Sequence, residues 1–327
     1  MAILVTGGAG YIGSHTVRQL RDRGEDVVVY DSLRTGFRQS IGDTPIVVGD
    51  VTDAALLAEV MAAHDFDAIV HFAARKSVGE SMSQPGVYFH RNVHGTATLV
   101  EQAHRAGIDH VVFSSSCSVY GTPSTLPVDE SAPLGPESVY AQTKLMCEQI
   151  LGWYGECHGV TSASLRYFNA AGASFDATIG EDWTECLNLI PLVMKAALGR
   201  RPPVQVFGTD YATPDGTAIR DYIHVDDLAD AHLRAVDYLR AGGATVSLNV
   251  GTGTGSSVKQ VIDATEQVAG IEVPRSYAER RAGDPVAVYA DNTKVRATLG
   301  WDPRYGLDEI ITTAWAWHSK HLDGFTG

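Results

Sequence analysis

Hydrophobic residues in the first half of the chain fall in short, unbroken runs. They are AILVT (2–6), DVVVYD (26–31), PIVVGD (45–50), AIVHFA (68–73), HVVFSSS (110–116) and SASLRYF (162–168). The runs are rich in Val and Ile and do not alternate with polar residues, which marks strands buried on both faces of a parallel sheet. Between them, apolar residues recur at helical spacing and predict helices near 11–24, 53–64, 86–106 and 140–158. Strands and helices in alternation predict an α/β fold, a Rossmann-type doubly wound parallel sheet. The pattern breaks after residue 167. Residues 168–220 are rich in loop signals, among them NAAGASFD and GTDYATPDGT, and helices are then expected near 225–240, 256–269, 292–298 and 307–320. The expected organisation is a doubly wound domain over 1–167, to which some later segments return, and a smaller mixed α/β lobe over 168–327. The chain has no internal repeat and no low-complexity segment.

At 327 residues the chain can bury a substantial core. A net charge of −14 argues against nucleic acid or an anionic membrane as the main partner, although a few local arginines can reverse the sign of one pocket. Cys117, Cys147, Cys157 and Cys186 show no CxxC spacing, as expected of reduced thiols in a cytoplasmic protein. MAILVTGG runs straight into a strand without a basic, signal-like region, and no apolar run reaches membrane-spanning length. The twelve histidines show no metal-ligand spacing, so no metal site is expected.

Chemistry enters with VTGGAGYIGSH. Gly7, Gly10 and Gly13 stand between the first strand and the first helix, where glycines permit a tight turn and close approach of a pyrophosphate to the helix N-terminus. Eighteen residues after Gly13 the second strand ends in Asp31, a carboxylate that suits adenosine ribose hydroxyls and repels a 2′-phosphate, favouring NAD over NADP. Asp50 ends the third run and either meets the adenine amino group or caps the next helix. A second glycine-rich run, GTGTGSS (251–257), stands apart from any expected ladder of parallel strands and is taken as a turn before a helix.

YAQTK places Tyr140 and Lys144 four apart, on one face of a helix. A free tyrosine titrates near 10, and bringing it to 7 takes about 4 kcal/mol. An ammonium about 6 Å away supplies roughly 2–3 kcal/mol at an effective dielectric near 20, and a positively charged nicotinamide can supply the rest. Such a pair beside NAD makes a working base.

TGGAGYIG, SSS followed by VYG, and YAQTK together resemble the extended short-chain dehydrogenase/reductase superfamily. HFAARKSVGES (71–81), RYFNAAGA (166–173), NLIP (188–191), RDYIHVDDLADAH (220–232) and RRAGD (280–284) are similar to the UDP-glucose 4-epimerase family, and the match runs from Met1 to about Trp317. The resemblance implies an isomerase that oxidises C4 of a UDP-sugar to a 4-ketose, lets the ketose turn and reduces its other face, with NAD tightly bound throughout. Ser116 then holds the reacting hydroxyl, Tyr140 takes its proton, and Lys144 lowers the tyrosine pKa and holds the nicotinamide ribose. Dehydratases and decarboxylases that also resemble this chain place acids after that serine. Cys117 and Ser118 stand there instead, which leaves machinery for hydride transfer and little for breaking another bond.

The resemblance also implies cofactor contacts beyond those named: Tyr11, Ile12, Ser32, Leu33, Thr35, Gly36, Val51, Phe72, Ala73, Ala74, Lys76, Asn92, Ser114, Tyr167 and Phe168. Phe168 alone is equally well a core aromatic. The implied UDP-sugar contacts are Lys76, Asn169, Asn188, Leu189, Phe207, Arg220, Arg281 and Asp284, the arginines suiting a diphosphate through their planar forks. Some relatives carry tyrosine four residues after Asp284, where this chain has Val288, so the sugar pocket is expected to have room for an N-acetyl group. A homodimer through the helices near 86–106 and 140–158 is implied as well. The rival readings are another nucleotide-sugar epimerase, including one for UDP-GlcNAc and UDP-GalNAc, and a non-catalytic NAD-binding regulator, which would not need the intact Ser116, Tyr140 and Lys144.

Overall fold

A computed structural model describes residues 1–183, 188–281 and 284–325; Cys186 lies outside them. The strands, in chain order, are β1 (Ala2–Thr6), β2 (Asp26–Asp31), β3 (Ile46–Val48), β4 (Phe66–His71), β5 (His110–Ser114), β6 (Thr161–Tyr167), β7 (Asn169–Ala171), β8 (Val204–Phe207), β9 (Ile219–Arg220), β10 (Tyr222–His224), β11 (Val246–Val250), β12 (Ser256–Ser257), β13 (Arg275–Ala278) and β14 (Ala287–Val288). The helices are α1 (Tyr11–Asp22), α2 (Ala54–Ala63), α3 (Val78–Ser83), α4 (Pro85–Tyr88), α5 (Gly95–Arg105), α6 (Val139–His158), α7 (Leu189–Ala197), α8 (Val225–Arg240), α9 (Val258–Ala269), α10 (Thr293–Leu299) and α11 (Leu307–Lys320).

The central sheet is parallel, in the order β11-β6-β5-β4-β1-β2-β3. Alternate residues of each strand face opposite sides, and each side meets a helix layer. Ile3, Val5, Val29, Val70 and Leu165 pack with Val17 and Leu20 of α1 and Leu228, Val236 and Leu239 of α8. Leu4, Val28 and Ile69 pack with Leu57 and Met61 of α2 and Leu99 of α5, while Val111 and Phe113 pack with Cys147 and Leu151 of α6. The strands are therefore unbroken apolar runs because both faces are covered. A separate core holds α7, α9 and α11 together through Ile190, Val193, Met194, Val261, Ile310 and Ile311.

Three expectations change. The helix near 86–106 is interrupted by a π turn over Phe89–His94, which seats Asn92 inward. Helix α7 lies within the stretch taken as loop; its sequence, LIPLVMKAA, spans only nine residues and carries Pro191 in its first turn, so its helical period is short and starts with a breaker. The run GTGTGSS follows β11, a strand of the parallel sheet, and so does have the ladder beside it that the sequence pattern hid. Its loop does not wait for a ligand: Thr252 N–H and Oγ1 and Gly253 N–H donate to the buried Asp221 carboxylate, and α9 begins directly after it.

Candidate active site

In an open α/β sheet, ligands settle outside the carboxyl ends of the strands where the strand order reverses. Here that point lies between β1 and β4. Thr6 O accepts from Phe72 N at 2.8 Å and Ala73 N at 3.1 Å, which brings the two strand ends together. Gly7 turns away with φ +72°, and a Cβ on it would lie 2.5 Å from Ala73 N. A Cβ on Gly13 would lie 2.3 Å from Gly7 O. Helix α1 then starts at Tyr11 with no capping side chain and no acid in its first turn, so its positive end is open to an anion. Asp31, at the end of β2, accepts from Ala9 N at 3.0 Å and Leu33 N at 2.8 Å. Burial raises its pKa, and those two N–H groups oppose the rise. Ser32, Leu33, Thr35 and Gly36 follow in the same loop, and Gly36 lies so close to Ala9 that a Cβ would reach its carbonyl carbon at 2.9 Å. A glycine cradle that any Cβ would fill, an uncapped helix start and a buried carboxylate at the second strand end fit a dinucleotide.

Asp50 is not the helix cap. Asp53 caps α2 through Leu56 N, and Asp50 pairs with Arg91 and accepts from Thr52 N and Oγ1. Val51 is buried against α2 and α5. The Asn92 side chain is taken up by protein partners: it accepts from Arg75 N at 2.8 Å and donates to Arg75 O and Thr143 Oγ1. It thereby fastens the loop carrying Phe72, Ala73, Ala74 and Lys76 to α6. The Phe72 ring packs on His232 of α8. Phe168 packs into a core cluster with Val119, Tyr120, Val128 and Ala290.

The three serines after β5 have three different partners. Ser114 Oγ and Tyr167 Oη lie 2.8 Å apart, Ser115 Oγ donates to Glu148, and Ser116 Oγ accepts from Ser118 N and Ser118 Oγ. Helix α6 is capped by Ser138 at its start, and Tyr140 N donates to Ser81 Oγ of α3. Tyr140 is 8% exposed and Lys144 3%. Lys144 Nζ donates to Ser114 O at 2.7 Å and lies 5.9 Å from the centre of the Tyr140 ring. Burial pushes the Tyr140 phenol far above its ordinary range, while the Ser116 hydroxyl draws it back down. Burial lowers Lys144 to about 8, with Cys147 and Glu148 holding it up. The protein's own groups leave the phenol protonated at neutral pH, and further positive charge is needed to make it a base.

The other half of the site comes from the second core. Arg220 of β9 pairs with Asp284, and Val288 of β14 lies beside Arg220 in register. The Arg281 guanidinium lies 3.8 Å from the centre of the Phe207 ring. Asn188, at the head of α7 before Leu189, donates to Glu181 Oε1 at 2.9 Å, and Lys76 Nζ lies 3.3 Å from the same oxygen. Asn169 opens β7 and is exposed. Val288 and Cys117 pack on the cluster that includes Phe168. The Cys117 thiol is pushed up to about 12 by burial, with the charges of Asp221 and Arg220 also acting on it. Sequence reading missed Glu181, Ser81 and the pair of Glu148 with Arg166. Glu148 alone carried a local signal, four residues after Lys144.

Residues 3–251 match the model of the NAD dependent epimerase/dehydratase family. The chain is 52% identical to the UDP-glucose 4-epimerase of Rhizobium meliloti (strain 1021), over 98% of each chain. It superposes with a TM-score of 0.93 on the crystal structure of UDP-glucose 4-epimerase from Bifidobacterium longum in complex with NAD+ and UDP, at 38% identity over 99% of this chain and 100% of that one. It is also similar to the UDP-Glc/GlcNAc 4-epimerase from Campylobacter jejuni, at 39% identity and a TM-score of 0.87, over 98% of this chain and 99% of that one. A parallel sheet in the doubly wound order, a glycine cradle closed at its switch point, and likeness at 52% identity over 98% of the chain agree: the chain belongs to the NAD dependent epimerase/dehydratase family, among the UDP-glucose 4-epimerases.

Proposed function

We propose that the enzyme interconverts UDP-galactose and UDP-glucose at C4. The observation that carries the reading is the burial of Tyr140 and Lys144 on α6, with Lys144 donating to Ser114 O at the end of β5, one strand from the switch point where Gly7, Gly10 and Gly13 form the cradle, and with no acid after Ser116. Bound NAD would take up the C4 hydride and return it to the opposite face of the sugar. Asp31 would hold the adenosine ribose and the first turn of α1 the pyrophosphate. Lys144 would anchor the nicotinamide ribose and lend its charge to Tyr140. Ser116 would orient the C4 hydroxyl, and Tyr140 would take its proton and give it back. Arg220 and Arg281 would hold the diphosphate, with Arg220 exchanging Asp284 for a phosphate oxygen. Asn169, Asn188, Leu189 and Phe207 would line the uridine side. On this reading residues 1–167 serve the cofactor and 168–327 the sugar nucleotide, with α8 and β11 returning to the first.

The test is to incubate purified protein with UDP-galactose, add no nicotinamide, and follow the anomeric protons by NMR. Appearance of UDP-glucose supports the reading together with retained NAD. No conversion even after NAD is added refutes it. Tyr140→Phe separates an enzyme from a regulator: turnover is lost while NAD stays bound.

A second reading, activity on UDP-GlcNAc and UDP-GalNAc, is supported by Val288, a small residue packed with Cys117 and Phe168. Turnover of UDP-GalNAc at background level in the wild type refutes it. The helical run 85–105 and α6 are proposed to form a homodimer interface, supported by Trp153, which is 69% exposed on α6. A cytoplasmic location is supported by the free thiols Cys117, Cys147 and Cys157. Among the described residues no helix is long and apolar enough to cross a membrane.

A further inference from the structure

Ser115, Glu148 and Arg166 form a buried polar cluster directly behind the residues assigned above to catalysis. Glu148 lies on α6 one turn beyond Lys144 and two turns beyond Tyr140, on the same helix face. Its carboxylate accepts from Ser115 Oγ at 2.5 Å, from Arg166 Nε at 3.0 Å and from the Arg166 terminal nitrogen at 2.6 Å. The Glu148 and Arg166 side chains are 8% and 7% exposed. Arg166 extends from β6 and gives its other arm to Tyr120 Oη, which donates to Asn249 Oδ1 of β11. One carboxylate thus ties the helix that carries Tyr140 and Lys144 to the strand end that carries Ser116. Apolar side chains of the same volume often hold such elements together as well or better, because a buried ion pair gives up two hydration shells. The placement of the pair points to a task other than stability.

Charge points the same way. The titratable groups packed around Lys144 and Tyr140 come from several elements. On α6 there is Cys147, whose thiol burial raises; on β4 there is His71, which burial lowers to about 3. On β6, Tyr167 is raised by burial, and after β5, Cys117 is pushed up to about 12 in the same way. Tyr88 of α4 is likewise pushed up to about 12. All of these are neutral near pH 7. Glu80 of α3 is paired with Arg75, and Arg91 of the π turn with Asp50. Glu148 is the anion on the Lys144 helix face.

We propose that Glu148 is a positioning residue for the reaction. Held by Ser115 and Arg166, it sets Lys144 against Ser114 and Ser116 against Tyr140, and it keeps the Lys144 ammonium charged in a dry site. The proposal rests on the 4-epimerase reading above. Turnover by the wild-type enzyme is therefore measured first: failure there falls on that reading, whereas failure in the variants falls on Glu148.

Two variants test it. Glu148→Gln combined with Arg166→Met removes both charges and leaves no buried ion unpaired. The folded double variant should retain NAD and show kcat roughly tenfold lower at an unchanged KM, with the alkaline limb of its kcat–pH profile shifted to lower pH, since Glu148 acts on Lys144 more strongly than Arg166 does. A merely structural pair would not move that limb, so coincidence with the wild-type limb overturns the proposal. Ser115→Ala removes one hydroxyl and keeps both charges; it should lower kcat about threefold at unchanged KM and leave the limb in place. If the double variant does not fold, Ser115→Ala decides: wild-type kcat overturns the proposal, and a lowered kcat at constant KM sustains it.

Discussion

Replacing Lys144 by methionine keeps most of the side-chain length and removes the charge. The Lys144 ammonium lies 5.9 Å from the centre of the Tyr140 ring. At an effective dielectric near 20 the attraction to a phenolate is 332/(20 × 5.9), about 2.8 kcal/mol. That corresponds to about two units of tyrosine pKa, hence roughly 100-fold less phenolate at any pH below that pKa. Lys144→Met should therefore lower kcat for UDP-galactose about 100-fold near pH 7. NAD content is measured alongside, since the same ammonium is assigned to the ribose. The pH profile is the sharper readout. Lys144 itself titrates at about 8, because burial disfavours the ammonium. Above that pH the wild type loses the charge too, so the gap between the two enzymes should close. A gap that stays constant from about pH 6 to 10, or a loss at pH 7 below about fivefold, would refute the electrostatic account and leave Lys144 as a ribose anchor alone.

Three other predictions follow from the geometry. Gly13→Ala places a methyl 2.3 Å from Gly7 O, so the cradle must open; purified variant should carry little or no NAD by absorbance, and full NAD content would contradict the cradle. Trp301 is fully buried and donates its indole N–H to Asp227 O at 3.0 Å, so Trp301→Ala should cost about 3–5 kcal/mol by denaturant unfolding, against under 1 kcal/mol if the site were plastic. Burial lowers His71 and His318 to about 3 and His224 and His232 to about 4. The unfolded chain takes up those protons near 6.5, so these four groups stabilise the fold fully above that pH and progressively less as pH falls toward 4. Each histidine costs about 1.4 kcal/mol per pH unit in that window; melting temperatures that stay flat from pH 7 to about 5 would show that other groups control acid stability.

The difference between what the sequence revealed and what it hid is one of distance along the chain. The glycine turn and the pair Tyr140 and Lys144 are local devices, complete within a few residues, and both stand where their pattern placed them. Asn92 is different. Its partners Arg75 and Thr143 lie 17 and 51 residues away, so nothing near it in sequence says that its amide fastens a loop to a helix. Arg220 and Asp284 were each legible as diphosphate or sugar contacts, yet their mutual ion pair spans 64 residues. The GTGTGSS run is the turn before a helix that its pattern suggested, but neither β11 ahead of it nor the anion it surrounds, Asp221, 31 residues upstream, left a local mark.

The serine run concentrates the problem. Strand periodicity separates Ser115 from Ser114 and Ser116, since successive side chains point to opposite faces. It cannot tell Ser114 from Ser116. That distinction comes from Tyr167, which occupies Ser114, and from the turn at Ser118, which holds the Ser116 hydroxyl against Tyr140. Three identical residues therefore divide their work by partner: one braces β6, one holds Glu148, and one stands against Tyr140. A substitution series across the three should separate accordingly. Ser114→Ala loses a brace and Ser115→Ala the hold on Glu148, each lowering kcat only a few-fold. Ser116→Ala removes the hydroxyl proposed to orient the sugar and should lower kcat by about 100-fold or more. Equal losses at all three positions would mean that the run acts as one packed strand end, with no division of roles.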